Sequence, residues 1–379
     1  MKIVFIGFSD YSFPYTRVRC YNFAKELKKY GVDAEVLSYQ GDLAPQFKGS
    51  HMYSIGDRDK LKTNLRAMWR LRDKSTILYV QKAYYHAAGP FLLSRMFGHK
   101  LILDYDDWDI DRAPFFQRGA LNLLFFKKRY RVDIIENVAS NAYACVAASK
   151  KLKDYLSRFN KRVFHVPTGV DVEKFLPGNS EKRDGESNVI AFWSGDVWGD
   201  VMFDIVLFIL YSFSIAKREV PSLRLRLVCF GNMMLRVKDV VNKLFSDGSV
   251  EFIEHIHPDK MPEVMMDVDI GLMPLIPDEL NRDWMESKSP TKFFEYMAMG
   301  KATVSSSFGE VKNIVEDGVD GFLADDLDEF TKKLIILASN GELRKKMGNN
   351  AREKAVSKYS MEVLGKSLFS ILHEDLDFK

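Results

Sequence analysis

Ser289-Pro290-Thr291-Lys292-Phe293-Phe294-Glu295-Tyr296-Met297-Ala298-Met299-Gly300-Lys301-Ala302-Thr303-Val304-Ser305-Ser306 reads as a helix that turns into a strand. Ser289 is a good N-cap, and Pro290 suits the first helical position, where no backbone donor is needed. Gly300 reads as the left-handed terminator of the helix, and 302–306 as a buried strand. A strand over 270–274 comes before it, so the helix starts just beyond the carboxyl end of that strand. Its first N–H groups then favour an anion such as phosphate. Lys288 and Lys292 add positive charge beside that end, and Glu295, one turn beyond Lys292, can accept both hydroxyls of a ribose. The plainer reading of the same residues is a capped helix with surface lysines and an exposed glutamate.

Outward from this unit, short β-branched runs alternate with longer helical stretches, the signature of parallel α/β architecture. In the first half the strands read are 3–7, 34–38, 77–81, 101–105, 144–148 and 163–167. Helical patterns stand between them, notably over 17–30 and 121–138. The segment 177–187 holds no apolar residue and reads as a linker. The series then restarts with strands 189–193, 225–230, 250–253, 270–274 and 302–306, and with helices from Val201, Leu235, Pro258 and Pro290. The domains expected are therefore 1–176, a linker 177–187, and 188–358, with a final helix in 359–379 crossing back to the first domain. Two doubly wound domains in succession would set a cleft between them, the place ligands prefer.

The size allows this, because 379 residues exceed one ordinary core. An apolar fraction of 46% and a charged fraction of 28% are those of a globular chain. Cys20, Cys145 and Cys229 are scattered and odd in number, so a reducing cytoplasm fits them better than a disulfide framework or a metal site. The opening run MKIVFIGF is read as a buried strand and not as a leader. The apolar stretch 201–216 is shorter than the roughly 20 residues a bilayer span needs and carries Asp204, so it is read as a buried helix. After Gly7 there is no G-x-G-x-x-G and no phosphate loop, which disfavours an ordinary dinucleotide site.

Charge is uneven. Between 120 and 162 stand ten Lys or Arg against Asp133, Glu136 and Asp154. Leu123, Leu124, Phe125 and Phe126 lie directly beside Lys127-Lys128-Arg129-Tyr130-Arg131, so an interfacial helix on an anionic membrane is one reading and solvated helix faces the other. No nucleic-acid module accompanies the patch.

The 289–306 segment resembles the signature helix of glycosyltransferase family 4, a group of retaining enzymes with the GT-B fold. Val166-Pro167-Thr168-Gly169-Val170-Asp171, with Phe175 and Pro177, resembles that family's interdomain motif. Gly309-Glu310, Ile314-Val315-Glu316-Asp317-Gly318 and Gly321-Phe322-Leu323 follow the same pattern, and Asp104-Tyr105-Asp106-Asp107 resembles a D-x-D-D of a subset of members. The order agrees over almost the whole chain, most closely from Asp269 to Ala324. Two departures stand out. The first of the family's two signature glutamates falls on Ser287, with Glu286 one residue out of register. The loop after the first strand of the second domain, Trp193-Ser194-Gly195-Asp196-Val197-Trp198-Gly199-Asp200, lacks the family's cations.

The resemblance implies an α/β protein of GT-B fold, two Rossmann-like doubly wound parallel-sheet domains facing across a cleft. It implies a hexosyltransferase-type enzyme that moves a sugar from a nucleotide-sugar donor to a saccharide or lipid-linked acceptor with retention, in cell-surface glycan or glycolipid synthesis. No cofactor and no metal are expected, the nucleotide sugar being a co-substrate. Donor contacts fall on Ser194, Gly195, Lys288, Ser289, Pro290, Thr291, Lys292 and Glu295, with Arg17 and Arg19 reaching the diphosphate from the first domain. Asp107 and Lys292 are the residues expected to serve the chemistry. Two other readings stay open: a GT-B nucleotide-sugar epimerase, and a catalytically silent nucleotide-sugar-binding protein.

Overall fold

A computed structural model describes residues 1–50, 54–108, 115–178, 188–254 and 256–378. The segment read as a linker, 177–187, lies outside the described residues from 179 onward. The chain forms two compact units. One holds Met1–Gly169, Ser287–Ser289 and Met361–Lys379; the other holds Val170–Glu286 and Pro290–Ser360.

The first unit is built on a six-stranded, all-parallel sheet of order β2-β1-β3-β4-β5-β6. Its strands are β1 (Lys2–Gly7), β2 (Asp33–Ser38), β3 (Thr76–Gln81), β4 (Leu101–Tyr105), β5 (Ala144–Ala147) and β6 (Val163–His165). β3, β4 and β5 are buried along their whole length. A parallel strand covered on both faces is predominantly apolar, which is why these runs do not alternate; buried polar exceptions such as Gln81 and Asp104 stand at or beside the carboxyl ends of β3 and β4. One face is covered by helices Asp57–Arg70, Ala88–Phe97, Gly119–Phe126 and Arg131–Asn141. The other carries helix Phe23–Lys29 and the C-terminal helix Met361–Ser370, which lie against each other, with Phe369 stacked on Tyr30.

The second unit has the order β12-β11-β10-β7-β8-β9, again all parallel. Counted within the unit, this is the doubly wound order that reverses between its first and fourth strands, β7 (Val189–Asp196) and β10 (Ile270–Met273). The crevice at the carboxyl ends of such a pair is where these sheets bind ligands. β8 (Leu223–Phe230), β9 (Val250–Ile253), β11 (Ala302–Ser306) and β12 (Phe322–Ala324) complete the sheet.

The chain departs from the sequence reading in several places. β7 runs on to Asp196, so Ser194 and Gly195 belong to a strand and not to a loop. The stretch 121–138 is two helices, Gly119–Phe126 and Arg131–Asn141, because Lys127 turns the chain in the left-handed region (φ +55°). Of the apolar quartet before it, Phe125 and Phe126 enter the core, while Leu123 and Leu124 face outward. Arg131 is also buried, its guanidinium over the rings of Tyr84 and Phe115. The 201–216 run lies in helix Asp200–Glu219, apolar on more than one side because it packs on the sheet and under helix Leu327–Ser339. There Phe208 meets Phe330, and Thr331 bonds Ser212 at 3.0 Å. Among the described residues, no helix is long and apolar enough to cross a membrane.

Candidate functional site

Helix Thr291–Ala298 and the end of β7 build the site in the second unit. The helix packs on β10 through Tyr296, whose ring crosses Gly271 so closely that a Cβ there would lie 2.4 Å from it. Phe192 meets the same ring edge-on at 5.8 Å. Gly300 ends the helix with φ +65°, the left-handed turn expected of it.

At the opposite end the expected cap is absent. Pro290 takes the N-cap position (φ −75°, ψ 114°), and no side chain caps the helix. Ser289 has turned away: its hydroxyl accepts the Thr168 N–H at 3.1 Å. A proline fixed near −75° starts the helix without a capping oxygen, so the hydroxyl serves the 166–171 motif instead. Pro290 and Thr291 are half-buried and Lys288 partly exposed, while Ser287 is fully buried.

Lys292, in the first turn, folds back over the end of β7. Its ammonium donates to the Ser194 carbonyl and stands 4.5 Å from the centre of the Trp193 ring. Gly195 makes room for it. A Cβ at Gly195 would come within 2.7 Å of both the Lys292 Nζ and the Trp193 ring, and Trp193 is fully buried. We expect Gly195→Ala to cost about 1–3 kcal/mol of stability by overpacking and to weaken nucleoside diphosphate binding. Denaturation midpoints together with titration calorimetry check both.

Glu295 is not the exposed carboxylate of the plainer reading, being only 7% exposed, one turn past Lys292. Behind this face, helix Gly309–Ile314 starts at Gly309 (φ +62°) against the Met285 carbonyl, and its Glu310 is buried.

In the first unit the charged residues at the carboxyl edge pair with one another. Arg19 is fully enclosed. Its Nε and one terminal nitrogen grip Asp104 at 2.8–3.0 Å, and the other donates to the carbonyls of Val166 (2.8 Å) and Pro167 (3.1 Å). The Tyr79 hydroxyl donates to the same carboxylate. Burial pushes the Asp104 carboxyl up to about 6, with Arg19 pulling the other way. Burial also opposes the Arg19 charge, yet Asp104 more than offsets it and holds that cation above its ordinary range. The expectation that Arg19 offers its charge to a diphosphate therefore gives way to an internal ion pair joining β4, the first helix and the 166–167 backbone. Arg17 is mostly buried, beside the Tyr11 ring and the Ser12 carbonyl.

Asp106 accepts from Gln81 at 3.1 Å and pairs with Lys82 at 3.5 Å, all three buried. Lys82 holds φ +60°, sparsely populated for a non-glycine residue. Asp107 is half-exposed in the turn after β4, one oxygen accepting the Trp108 N–H. Among the described residues, no three His, Cys, Asp or Glu side chains converge as a metal shell would require.

Sequence reasoning missed Lys82, Gln81 and the Trp193 ring. The one signal for the first two was position, since both sit where β3 ends, next to β1 at the order reversal of the first sheet. Trp193 carried no signal, because only the folded chain lays a lysine from 99 positions later over its ring.

Two all-parallel six-stranded sheets flanked by helices, in these strand orders, define the GT-B architecture of two Rossmann-like domains. Residues 201–340 match the family described as "Glycosyl transferases group 1". No curated protein sequence matches the chain. Among solved structures, the sucrose-phosphate synthase of Thermosynechococcus elongatus is similar at 13% identity, with a TM-score of 0.73 over 100% of both chains. A glycosyltransferase of Rickettsia africae gives 16% and 0.68, covering 99% of this chain and 98% of its own. The HepE protein of Anabaena, in complex with UDP and glucose, gives 14% and 0.67, covering 98% and 99%.

Proposed function

We propose that this chain is a retaining glycosyltransferase that moves a sugar from a nucleoside diphosphate sugar to a saccharide or lipid-linked acceptor. One observation carries the reading. Lys292 stands at the amino end of a helix with no side-chain cap, at the order reversal of the second sheet, inside the region that matches the group 1 family. Its ammonium donates to the Ser194 carbonyl and lies over the Trp193 ring. A diphosphate brought to this helix end gains a charge-assisted hydrogen bond from it.

Lys292 and the first N–H groups of its helix then neutralise the charge that grows on the leaving diphosphate, with Lys288 beside them. Glu295 takes the ribose hydroxyls. Ser194, Gly195, Ser289, Pro290 and Thr291 line the approach with backbone and small side chains, so the diphosphate can lie close. On the first unit, Asp107 keeps a half-exposed carboxylate and is assigned to the acceptor hydroxyl. Arg17 is retained as a donor contact on its position alone. The acceptor oxygen attacks the sugar's anomeric carbon from the face the diphosphate leaves, and the anomeric configuration is kept. No metal is invoked in this scheme.

The test is a melting-temperature screen with UDP, GDP, ADP and their sugars, starting from UDP because the Anabaena neighbour holds it. A nucleotide at a hundred times its Kd should raise stability by about 2.7 kcal/mol. No shift with any of them at millimolar concentration removes the donor-site assignment. A binding nucleotide sugar that is epimerised, with nucleotide released and no acceptor present, would identify the epimerase instead.

A further inference from the structure

The outward faces of helices Asp57–Arg70, Ala88–Phe97 and Gly119–Phe126 lie side by side on one face of the first sheet, each touching the next. We propose that this surface, together with the turn 127–130, docks the protein on an anionic phospholipid membrane.

On helix Asp57–Arg70 the exposed positions recur at helical spacing: Arg58, Lys62, Leu65, Arg66, Trp69 and Arg70. Each is a base or a large apolar residue. The acids of this helix, Asp57 and Asp59, are half-buried, and Asp57 spends its carboxylate on the N–H groups of Gln117 and Arg118. The next helix ends with Arg95, Met96 and Phe97 exposed, and the third exposes Leu123 and Leu124 just before Lys127, Lys128 and Arg129. Every exposed charged side chain on these three helices and this turn is therefore a base.

None of these bases pairs with a carboxylate among the described residues. In the second unit several exposed bases are paired, as in Arg236–Asp200, Lys238–Glu254, Lys243–Asp239 and Lys260–Glu263, so a run of exposed bases with no acid on the same face is not the rule for this chain. Trp69 is 68% exposed, with Arg72 laid over its ring at 4.4 Å, and Leu124 and Tyr130 are 66% and 71% exposed. Unpaired bases alone would suit any polyanion. Nucleobases could stack on Trp69 and Phe97, but exposed Leu65, Met96, Leu123 and Leu124 gain nothing from a nucleic acid; at a membrane all six insert at the headgroup and acyl boundary while the bases meet the lipid charge. The surface differs from the basic stretch read in the sequence over 120–162, because it gains two helices N-terminal to that stretch and loses Arg131, Phe125 and Phe126 to the core.

The proposal goes beyond sugar transfer and is tested without nucleotide or acceptor. The full chain is sedimented with vesicles of equal phosphatidylglycerol and phosphatidylcholine, and with phosphatidylcholine alone. Binding is expected only to the anionic vesicles, weakening as salt rises. Each neutralised base should reduce partitioning about fivefold, so the variant R66Q/R70Q/K127Q/K128Q should lose at least a hundredfold. L124S should lose roughly tenfold with the charge unchanged, and a blue shift of indole emission on vesicles should vanish in W69F. All six side chains are exposed, so far-UV circular dichroism and melting should stay as in the unmodified protein. Equal binding to neutral vesicles, unchanged binding by both variants, or binding to RNA or self-association without vesicle binding would overturn the proposal. Nucleotide binding measured on the same variants stays normal in either case, which separates this result from the donor site.

Discussion

Asp104→Ala is expected to cost about 3–5 kcal/mol of stability, the loss typical of breaking a buried ion pair from one side. Among the described residues this carboxylate is the one anion that Arg19 grips, and both side chains are fully covered. Removing it leaves a guanidinium in the interior with two neutral carbonyls for company and takes away the acceptor of the Tyr79 hydroxyl. Arg19 cannot shed its proton to escape, because arginine stays charged in proteins. The double replacement Arg19→Met with Asp104→Leu should be less destabilised than Asp104→Ala alone, because it buries no unpaired charge. Urea denaturation midpoints of the two variants and the unmodified protein decide this. A single variant that unfolds at the midpoint of the unmodified protein would show that the pair contributes nothing.

Lys292→Ala is expected to weaken nucleoside diphosphate binding by roughly 10- to 100-fold, the value of one charge-assisted hydrogen bond of about 1.5–3 kcal/mol. Turnover should fall further, by about 100- to 1000-fold, because the charge on the departing diphosphate grows as the sugar bond breaks. Stability should change less than binding, since the Lys292 side chain is half-exposed at the end of its helix and its ammonium donates to the Ser194 carbonyl beside the Trp193 ring. Glu295→Gln is a better companion than Glu295→Ala, because the buried position would be left with a cavity by truncation. A Lys292→Ala protein with normal nucleotide affinity and normal turnover would move the site elsewhere.

Much of the fold was legible in the sequence because short, mainly apolar and β-branched runs set between helical stretches mark the strands of a parallel sheet. The runs 101–105, 250–253 and 302–306 are strands over those same residues, and Gly300 ends its helix as a left-handed glycine should. These signals are local. Each depends on residues a few positions apart, and backbone sterics read them the same way in any context.

What failed was long-range. Arg19 looks like a solvated base on a first helix, because its partner Asp104 lies 85 positions away. Ser289 looks like a cap until Thr168, 121 positions back, claims its hydroxyl. The break at Lys127 has neither glycine nor proline to announce it.

The sequence by itself determined that this chain makes two parallel α/β sheets, where their strands run and where one glycine turns a helix, because those choices follow from local periodicity and backbone geometry. Only the tertiary structure decided which charges are spent inside and which face solvent. A side chain's charge reads the same in sequence whether a distant carboxylate or water surrounds it, and burial alone separates Arg19 from Arg66.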